Sequence, residues 1–470
     1  MLDREIYSTD PVQIVAHSYD ATNEFHFPEA VVRPRNPEDL RQILEAANRT
    51  GVPLFPRGAG TGFSGGSLPV GGGAVIDFLG MNRIIDIDEK DFIARVEPGV
   101  ITLALQEAVE AKKLFYPPDP ASLKICTIGG NVSENAGGPR CLKYGVTKDF
   151  VLGISGFTGS GKRFSAGKGI LKNRAGYDLK DLLIGSEGTL AVFHEFLLRL
   201  IPKPEAKILF LAFFKKLDPA AMMVGKILHQ GIQPSCLEFM DGRAIEAVEK
   251  HSGSLKTPPS GRKRHPCGPP TSTSVWNGYG LPLNQEALLL IEVDGRADEM
   301  ALFRRKIENC LKGAASEIRV AVESHLQEEL WEIRRKASPA MRAFGNTKAN
   351  EDIVVPRKHI PEAISRLRQI AGRYRLNIIN FGHIGDGNIH VNIMYDGTKS
   401  AEKKRVNLAL EEIFAMVNQL EGAISGEHGI GLKKKKFLPG NIDPVSYELM
   451  KGIKRLFDPN NILNPHKIFL

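Results

Sequence analysis

Two stretches far apart in the chain carry the residue types that proton transfer and metal binding need. The first is Asn380-Phe-Gly-His383-Ile-Gly-Asp386-Gly387-Asn388-Ile-His390. Asp-Gly between alternating apolar residues favours a two-residue hairpin turn. Counting outward from that turn pairs His383 with His390, and directly opposed residues share a face with Cβ atoms about 4.5–5.5 Å apart. Two imidazoles so placed can hold one divalent cation; two opposed core histidines are the competing reading. The second stretch, Ser425-Gly426-Glu427-His428-Gly429-Ile-Gly431, sets a carboxylate and an imidazole among glycines that permit close backbone approach. Glu427 can complete a two-His, one-carboxylate shell with open positions, and His428 has the ordinary pKa of a general base. Arg334, within Leu330-Trp331-Glu-Ile-Arg334-Arg335-Lys336, offers a guanidinium that can grip a carboxylate with two bonds. Lys348 is expected in the turn before a strand at Ile353–Val355. For both cations a solvated surface charge is the plainer alternative.

A phosphate site stands near the other end of the chain. Residues 56–66 read Pro-Arg-Gly-Ala-Gly-Thr-Gly-Phe-Ser-Gly-Gly. Such a run bends tightly and turns several N–H groups toward one point, where a pyrophosphate is the usual occupant. Gly60-Thr-Gly62-Phe-Ser-Gly65 has Rossmann spacing, but that motif opens a helix. Here Gly66, Ser67, Leu68, Pro69 and three more glycines follow, so no helix can begin. Gly156-Phe-Thr-Gly-Ser-Gly161-Lys162-Arg163 imitates a P-loop, with Arg163 in place of the hydroxyl that holds magnesium. It is better read as a hairpin turn between strands.

Composition narrows the function classes. The 470 residues are 42% hydrophobic and 25% charged, enough for two or three domains with large cores. No run has the apolar length of a membrane span, and Met-Leu-Asp-Arg-Glu does not start a signal peptide. The five scattered cysteines form no Cys-x-x-Cys pair, which points to reduced thiols in the cytoplasm and away from an iron–sulfur cluster on this chain. A net charge of +8 suits an anionic substrate, an acidic partner or the inner face of an anionic membrane. With 7% aromatics and no reading motif, nucleic acid is not the expected partner. The basic run Lys433–Lys436 reads as a solvated helix end.

The elements that must position these groups change rhythm part-way along. Asn36 caps a helix opened by Pro37 and stopped by Gly51. Strands at Ala74–Phe78 and Phe92–Val96 and a helix at Leu103–Lys113 follow, then a stretch 117–145 rich in Pro, Gly and Asn. From Ile208 the pattern becomes apolar strand then amphipathic helix, with strands at Ile208–Phe214, Cys236–Met240 and Leu288–Val293 and helices at Ala220–Gln230, Arg243–Lys250, Asp298–Leu311, Leu326–Phe344 and Glu362–Arg373. That is an α+β pattern on a largely antiparallel sheet. Residues 251–284, rich in Pro, Gly, Ser and Thr, read as a flexible surface loop.

Taken together, these residues resemble the flavin-linked 2-hydroxy-acid dehydrogenases, which include the glycolate oxidase flavoprotein subunit and the D-lactate and D-2-hydroxyglutarate dehydrogenases, on the vanillyl-alcohol-oxidase type of FAD fold. The resemblance runs over nearly the whole chain. It rests on Pro56–Gly66, Pro117-Pro-Asp-Pro-Ala-Ser122, Thr127-Ile-Gly-Gly-Asn131, Asn135-Ala-Gly-Gly138, Ile184-Gly-Ser-Glu-Gly-Thr189, the His383/His390 hairpin and Ser425–Gly431.

The resemblance implies an α+β architecture: a two-part FAD-binding domain at 1–204, a ferredoxin-like cap domain at 205–424, and a C-terminal helical segment at 425–470 returning to the FAD domain. Arg57, Gly58, Ala59, Gly60, Thr61, Gly62 and Ser64 would wrap the pyrophosphate. Pro118, Thr127, Gly129, Gly130, Asn131, Ser133, Asn135, Ala136, Gly137 and Gly138 would line the isoalloxazine and ribityl chain, with Glu187 and Gly188 on the adenosine side. Without a histidine in the first loop, the FAD is expected to be non-covalent. His383, His390 and Glu427 would hold a divalent metal, zinc first among them, while Arg334 and Lys348 take the substrate carboxylate and His428 acts as base. Ser338, one turn beyond Arg334, stands where the hydroxyglutarate enzymes carry threonine and leaves the substrate's length open. The implied reaction oxidises a D-2-hydroxy acid, D-lactate or glycolate ahead of D-2-hydroxyglutarate, by hydride transfer to FAD; an FAD-dependent oxidation of another alcohol is the rival within the class. Electrons would pass to an iron–sulfur subunit, an electron-transfer flavoprotein, a cytochrome or a quinone. A homodimer and a peripheral place at the membrane both fit that scheme.

Overall fold

The computed structural model describes residues 6–254, 280–282 and 284–470. Most of the expected loop at 251–284 therefore lies outside the described residues. Its first residues continue a helix, Gly242–Ser254, rather than opening a loop.

The chain forms two compact units, Met1–Pro204 with Ala423–Leu470, and Glu205–Gly422. In the first unit, a four-stranded sheet has the order Tyr7–Ser8, Ala30–Val32, Ala74–Asp77, Leu54–Arg57, with its last three strands parallel. Helix Pro37–Thr50 supplies its cover. Asn36 accepts from the N–H groups of Glu38 and Asp39, and Gly51 at φ +71° ends the helix. Leu40, Ile43, Leu44 and Ala47 are the buried stripe of this helix and join Leu54, Ala74 and Ile76 in one core. A five-stranded antiparallel sheet follows in the order Ile84–Asp88, Ile93–Val96, Ala191–Arg199, Val151–Thr158, Arg163–Gly167. The P-loop look-alike is the turn of its last hairpin, where Phe157 pairs with Arg163. The C-terminal segment completes the unit. Leu54 N–H donates to the Ile462 carbonyl at 2.7 Å and Asn464 N–H to the Leu54 carbonyl at 2.8 Å.

Within 117–145, where no element was read, Ile128–Glu134 is helical. Two glycines and a serine give it poor intrinsic propensity. Thr127 Oγ1 caps it by accepting from Gly130 N–H, and Asn135 in the left-handed region ends it. The Lys433–Lys436 run is a series of turns, not an exposed helix end. Lys434 is only 3% exposed and Lys433 pairs with Glu24.

The second unit is built on one seven-stranded sheet ordered Glu317–Ala321, Ala206–Phe214, Ala287–Gly295, Cys236–Asp241, Asn377–Gly382, Asn388–Tyr395, Thr347–Val354. Every neighbouring pair is antiparallel. Ile208–Phe214 are buried without interruption, as expected of a strand covered on both faces. On one face, Ala244, Ile245 and Val248 of Gly242–Ser254 and Leu330, Ile333 and Ala337 of helix Ser324–Ala340 pack on Leu209, Leu211, Met240 and Leu290. Helix Leu217–His229 packs against Met300–Leu311 and Ile360–Tyr374, and the latter packs against Ser400–Gln419.

The hairpin at 377–395 departs from the expected register. Phe381, not His383, lies opposite His390, and five residues, 383–387, join the strands. The wider turn follows from its anchors. A Cβ on Gly387, at φ +90°, would run into the Val355 carbonyl, and His383 is tied through its ring to the neighbouring strand. Those contacts outweigh the local preference of Asp-Gly for a tight turn. Strand Thr347–Val354 also begins earlier than expected, so Lys348 stands in the strand and not in the turn before it.

Candidate active-site half-sites

In the second unit, sheet register gathers the polar groups. Antiparallel pairing sets Asp352 opposite His390, Asn350 opposite Asn392 and Lys348 opposite Met394, while His390 also opposes Phe381. Opposed residues share a face, and Phe381 and Met394 belong to the face covered by helix Ser324–Ala340. Arg334 and Ser338, one turn apart on that helix, therefore look onto the same row. Lys348 Nζ donates to Ser338 Oγ at 3.3 Å, and burial together with Arg342 holds the ammonium pKa below its ordinary value.

Glu238 joins the row from strand Cys236–Asp241 with no solvent exposure. Its Oε1 lies 2.5 Å from His383 Nδ1, and its Oε2 accepts from Arg334 Nε at 2.7 Å. Burial opposes its ionisation, yet His383 and Arg334 pull its pKa below the usual carboxylate value. The Arg334 guanidinium stacks over Phe381, 4.5 Å from the ring centre. Nδ1–H of His383 donating to a carboxylate fixes the tautomer with an unprotonated Nε2, the arrangement found behind metal-binding histidines. The Nε2 atoms of His383 and His390 are 3.4 Å apart, with rings at 85°. Two nitrogens about 2.05 Å from a tetrahedral cation are separated by about 3.3 Å, so the two imidazoles fit a divalent metal.

In the first unit, the glycine loop closes around Arg57. This side chain is 8% exposed, donates from Nη1 to Ser67 Oγ at 3.2 Å and packs so tightly on Gly60 that no Cβ would fit there. Gly58 abuts Thr127 in the same way, which seats the loop on the start of helix Ile128–Glu134. Asn131 Nδ2 donates to Thr102 Oγ1 at 2.8 Å. Gly137 lies against Glu427, where an added Cβ would come within 2.8 Å of Oε2. The His428 ring stands 4.9 Å from Phe63, tilted by 40°. Phe63 and Ser64 thus bring the 427–431 turn to the same loop that Arg57–Gly62 form, a fit for a dinucleotide held by main-chain amides. Lys467 donates to the carbonyls of Gly65 and Leu68; burial pulls its pKa down to about 7.

Known proteins match both units. Residues 28–167 match the family described as FAD binding domain, and residues 203–468 match that described as FAD linked oxidases, C-terminal domain. The chain belongs to the FAD-linked oxidases. Its relatives include the glycolate oxidase subunit GlcD of Bacillus subtilis, 40% identical over 97% of this chain and 92% of that protein. A D-lactate dehydrogenase of Anaerostipes hadrus is 32% identical over 94% of this chain and 89% of its own length. Among solved structures, p-cresol methylhydroxylase with substrate bound superposes with a TM-score of 0.79 at 18% identity, covering 98% of this chain and 93% of that one. This FAD-linked oxidase has the vanillyl-alcohol-oxidase-type α+β fold that its sequence resembles, and its first unit carries the FAD-binding domain.

Three groups escaped the sequence reading. Glu238 could have been suspected as an acid in the middle of Cys-Leu-Glu-Phe-Met-Asp, flanked on both sides by apolar residues. Glu134 sits in a helix that was not foreseen. Lys467 follows Asn464-Pro465, where nothing local marks burial. Among the described residues, no helix is long and apolar enough to cross a membrane.

Proposed function

We propose that this FAD-linked oxidase converts a D-2-hydroxy acid, D-lactate or glycolate first, to the 2-oxo acid. The observation that carries the reading is one face of the second unit's sheet, where two Nε2 atoms 3.4 Å apart lie on the side that carries Lys348 and is covered by the helix bearing Arg334. A cation site beside an anion clamp suits a substrate with a hydroxyl next to a carboxylate. The names of the relatives from Bacillus subtilis and Anaerostipes hadrus support the same substrate class. When bound, FAD takes up hydride and a divalent cation, for which we propose zinc, polarises the hydroxyl.

The chain's own residues do the rest. His383 and His390, with Glu427 as third ligand, hold the cation, and Glu238 keeps the His383 Nε2 lone pair available. Arg334 and Lys348 bind the carboxylate; Arg334 Nε is already held by Glu238, so its Nη edge is the part offered. His428 accepts the hydroxyl proton. Arg57 through Ser64, Pro118, Thr127–Asn131, Ser133, Asn135–Gly138 and the backbone at Glu187–Gly188 hold FAD without a covalent bond. Electrons leave to a separate acceptor, an iron–sulfur subunit, an electron-transfer flavoprotein, a cytochrome or a quinone.

Purified holoenzyme assayed with an artificial dye against D- and L-lactate, glycolate and D-2-hydroxyglutarate tests this. Dye reduction with D-lactate or glycolate is expected, with L-lactate inert. Best turnover with D-2-hydroxyglutarate would mean that the space beside Ser338 accepts a longer acid. Dye reduction by none of the four overturns the reading. His428→Ala should slow turnover by on the order of 10²–10⁴ while the protein stays yellow.

A further inference from the structure

Glu187 occupies the left-handed region at φ +52°, uncommon for a residue with a long side chain. Its surroundings hold it there from three sides. Its N–H donates to the Ser133 carbonyl at 2.8 Å, its carbonyl accepts from Asn464 Nδ2 at 2.7 Å, and its carboxylate faces the 427–431 turn. Oε1 accepts from Ile430 N–H at 2.8 Å and Oε2 from Gly431 N–H at 2.7 Å. The turn is shaped for that seat. A Cβ on Gly429, at φ +84°, would fall 2.9 Å from Glu187 Oε1 and 2.5 Å from Glu134 Oε2, and one on Gly431 would strike the Ser64 carbonyl. Burial raises the pKa of both acids, that of Glu134 well above the carboxylate range, and the amides of Ile430 and Gly431 work against the rise at Glu187.

We infer that Glu187 is the positioning residue for His428: its carboxylate, through the amides of Ile430 and Gly431, fixes the turn that delivers the imidazole against Phe63. The inference rests on His428 being the base. It also assigns the Glu187 side chain to the catalytic turn and leaves only its backbone to the cofactor.

Glu187→Gln keeps the shape and removes one of the two acceptors. Expected in the holoenzyme is a kcat lower by roughly 10–100-fold, with KM and the flavin absorbance per protein unchanged. Glu187→Asp, which reaches one amide, should fall between. Because Glu187 acts through His428, the double variant Glu187→Gln/His428→Ala should be no slower than His428→Ala alone. Full turnover in Glu187→Gln, loss of flavin in step with activity, or multiplied losses in the double variant would overturn the inference. If Glu187→Gln does not accumulate as soluble protein, Glu187→Asp is compared in the same way and the same outcomes decide. Full activity in His428→Ala would remove the base reading itself, whereas an impaired His428→Ala beside a fully active Glu187→Gln removes only the role of Glu187.

Discussion

Glu238 shows how one buried acid can set two neighbours at once. It accepts from Arg334 Nε and holds His383 Nδ1, so the same carboxylate fixes a guanidinium and an imidazole tautomer. Glutamine here would keep only one acceptor oxygen and no charge, so Arg334 and His383 could no longer both be held by a carboxylate. Glu238→Gln is therefore expected to weaken binding at the proposed cation site about 10–100-fold, as read with zinc by competition with a chromophoric chelator, with flavin content unchanged. Unchanged zinc affinity would mean that His383 is not a ligand. At this scale the sequence was informative for residues that announce themselves. His383, His390 and His428 stand in short motifs whose types and spacing suggest chemistry. Glu238 does not, because its partners lie 145 and 96 residues away.

The elements explain why those side chains meet. His390, Asn392 and Met394 fall on one face because a strand alternates with period two, and pairing with Thr347–Val354 brings Lys348, Asn350 and Asp352 to the same face. Strand Ala74–Asp77 offers a matching case in the first unit. Its last residue, Asp77, is 4% exposed and accepts from Arg33 Nε at 2.9 Å, from the Leu79 amide at 3.0 Å, and pairs with His17 Nε2 at 3.2 Å. Burial raises its pKa, but those partners prevail and bring it down to about 2 from 3.8. A depressed folded pKa contributes stability that is present above 3.8 and lost as pH falls toward 2, worth about 2 kcal/mol. Asp77→Asn should accordingly lower the urea midpoint at pH 7, and the gap to the parent should shrink between pH 4 and pH 2. A gap independent of pH would assign the loss to the Leu79 cap instead. Helix and strand positions were largely legible, since Pro37–Thr50 and Ile360–Tyr374 carry clear caps or apolar stripes. The 383–387 turn was not, because Asp386-Gly387 speaks for a local preference that Glu238 and the Val355 carbonyl override.

At the scale of the whole molecule, the first unit is discontinuous, leaving at Pro204 and returning at Ala423. Its last residues are structural. Ile462 and Leu463 are buried in the core of the four-stranded sheet, and Lys467 ties the glycine loop at Gly65 and Leu68. Deleting residues 459–470 should lower stability by at least about 3 kcal/mol, from two buried side chains alone, and release flavin on desalting. A truncated protein that stays yellow with an unchanged urea midpoint would show that the tail is dispensable. The sequence by itself determined what is encoded locally: periodicity, caps, the amide-rich loop at 57–66, and the imidazole-bearing motifs that resemble the hydroxy-acid dehydrogenases. Tertiary structure decided which groups share a site. Glu238 came to His383, Glu187 to the 430–431 amides and Lys467 to the glycine loop across 145, 243 and 402 residues of chain. Contacts of that span are chosen by burial and by the need to satisfy enclosed charge, and the neighbouring sequence does not name the partner.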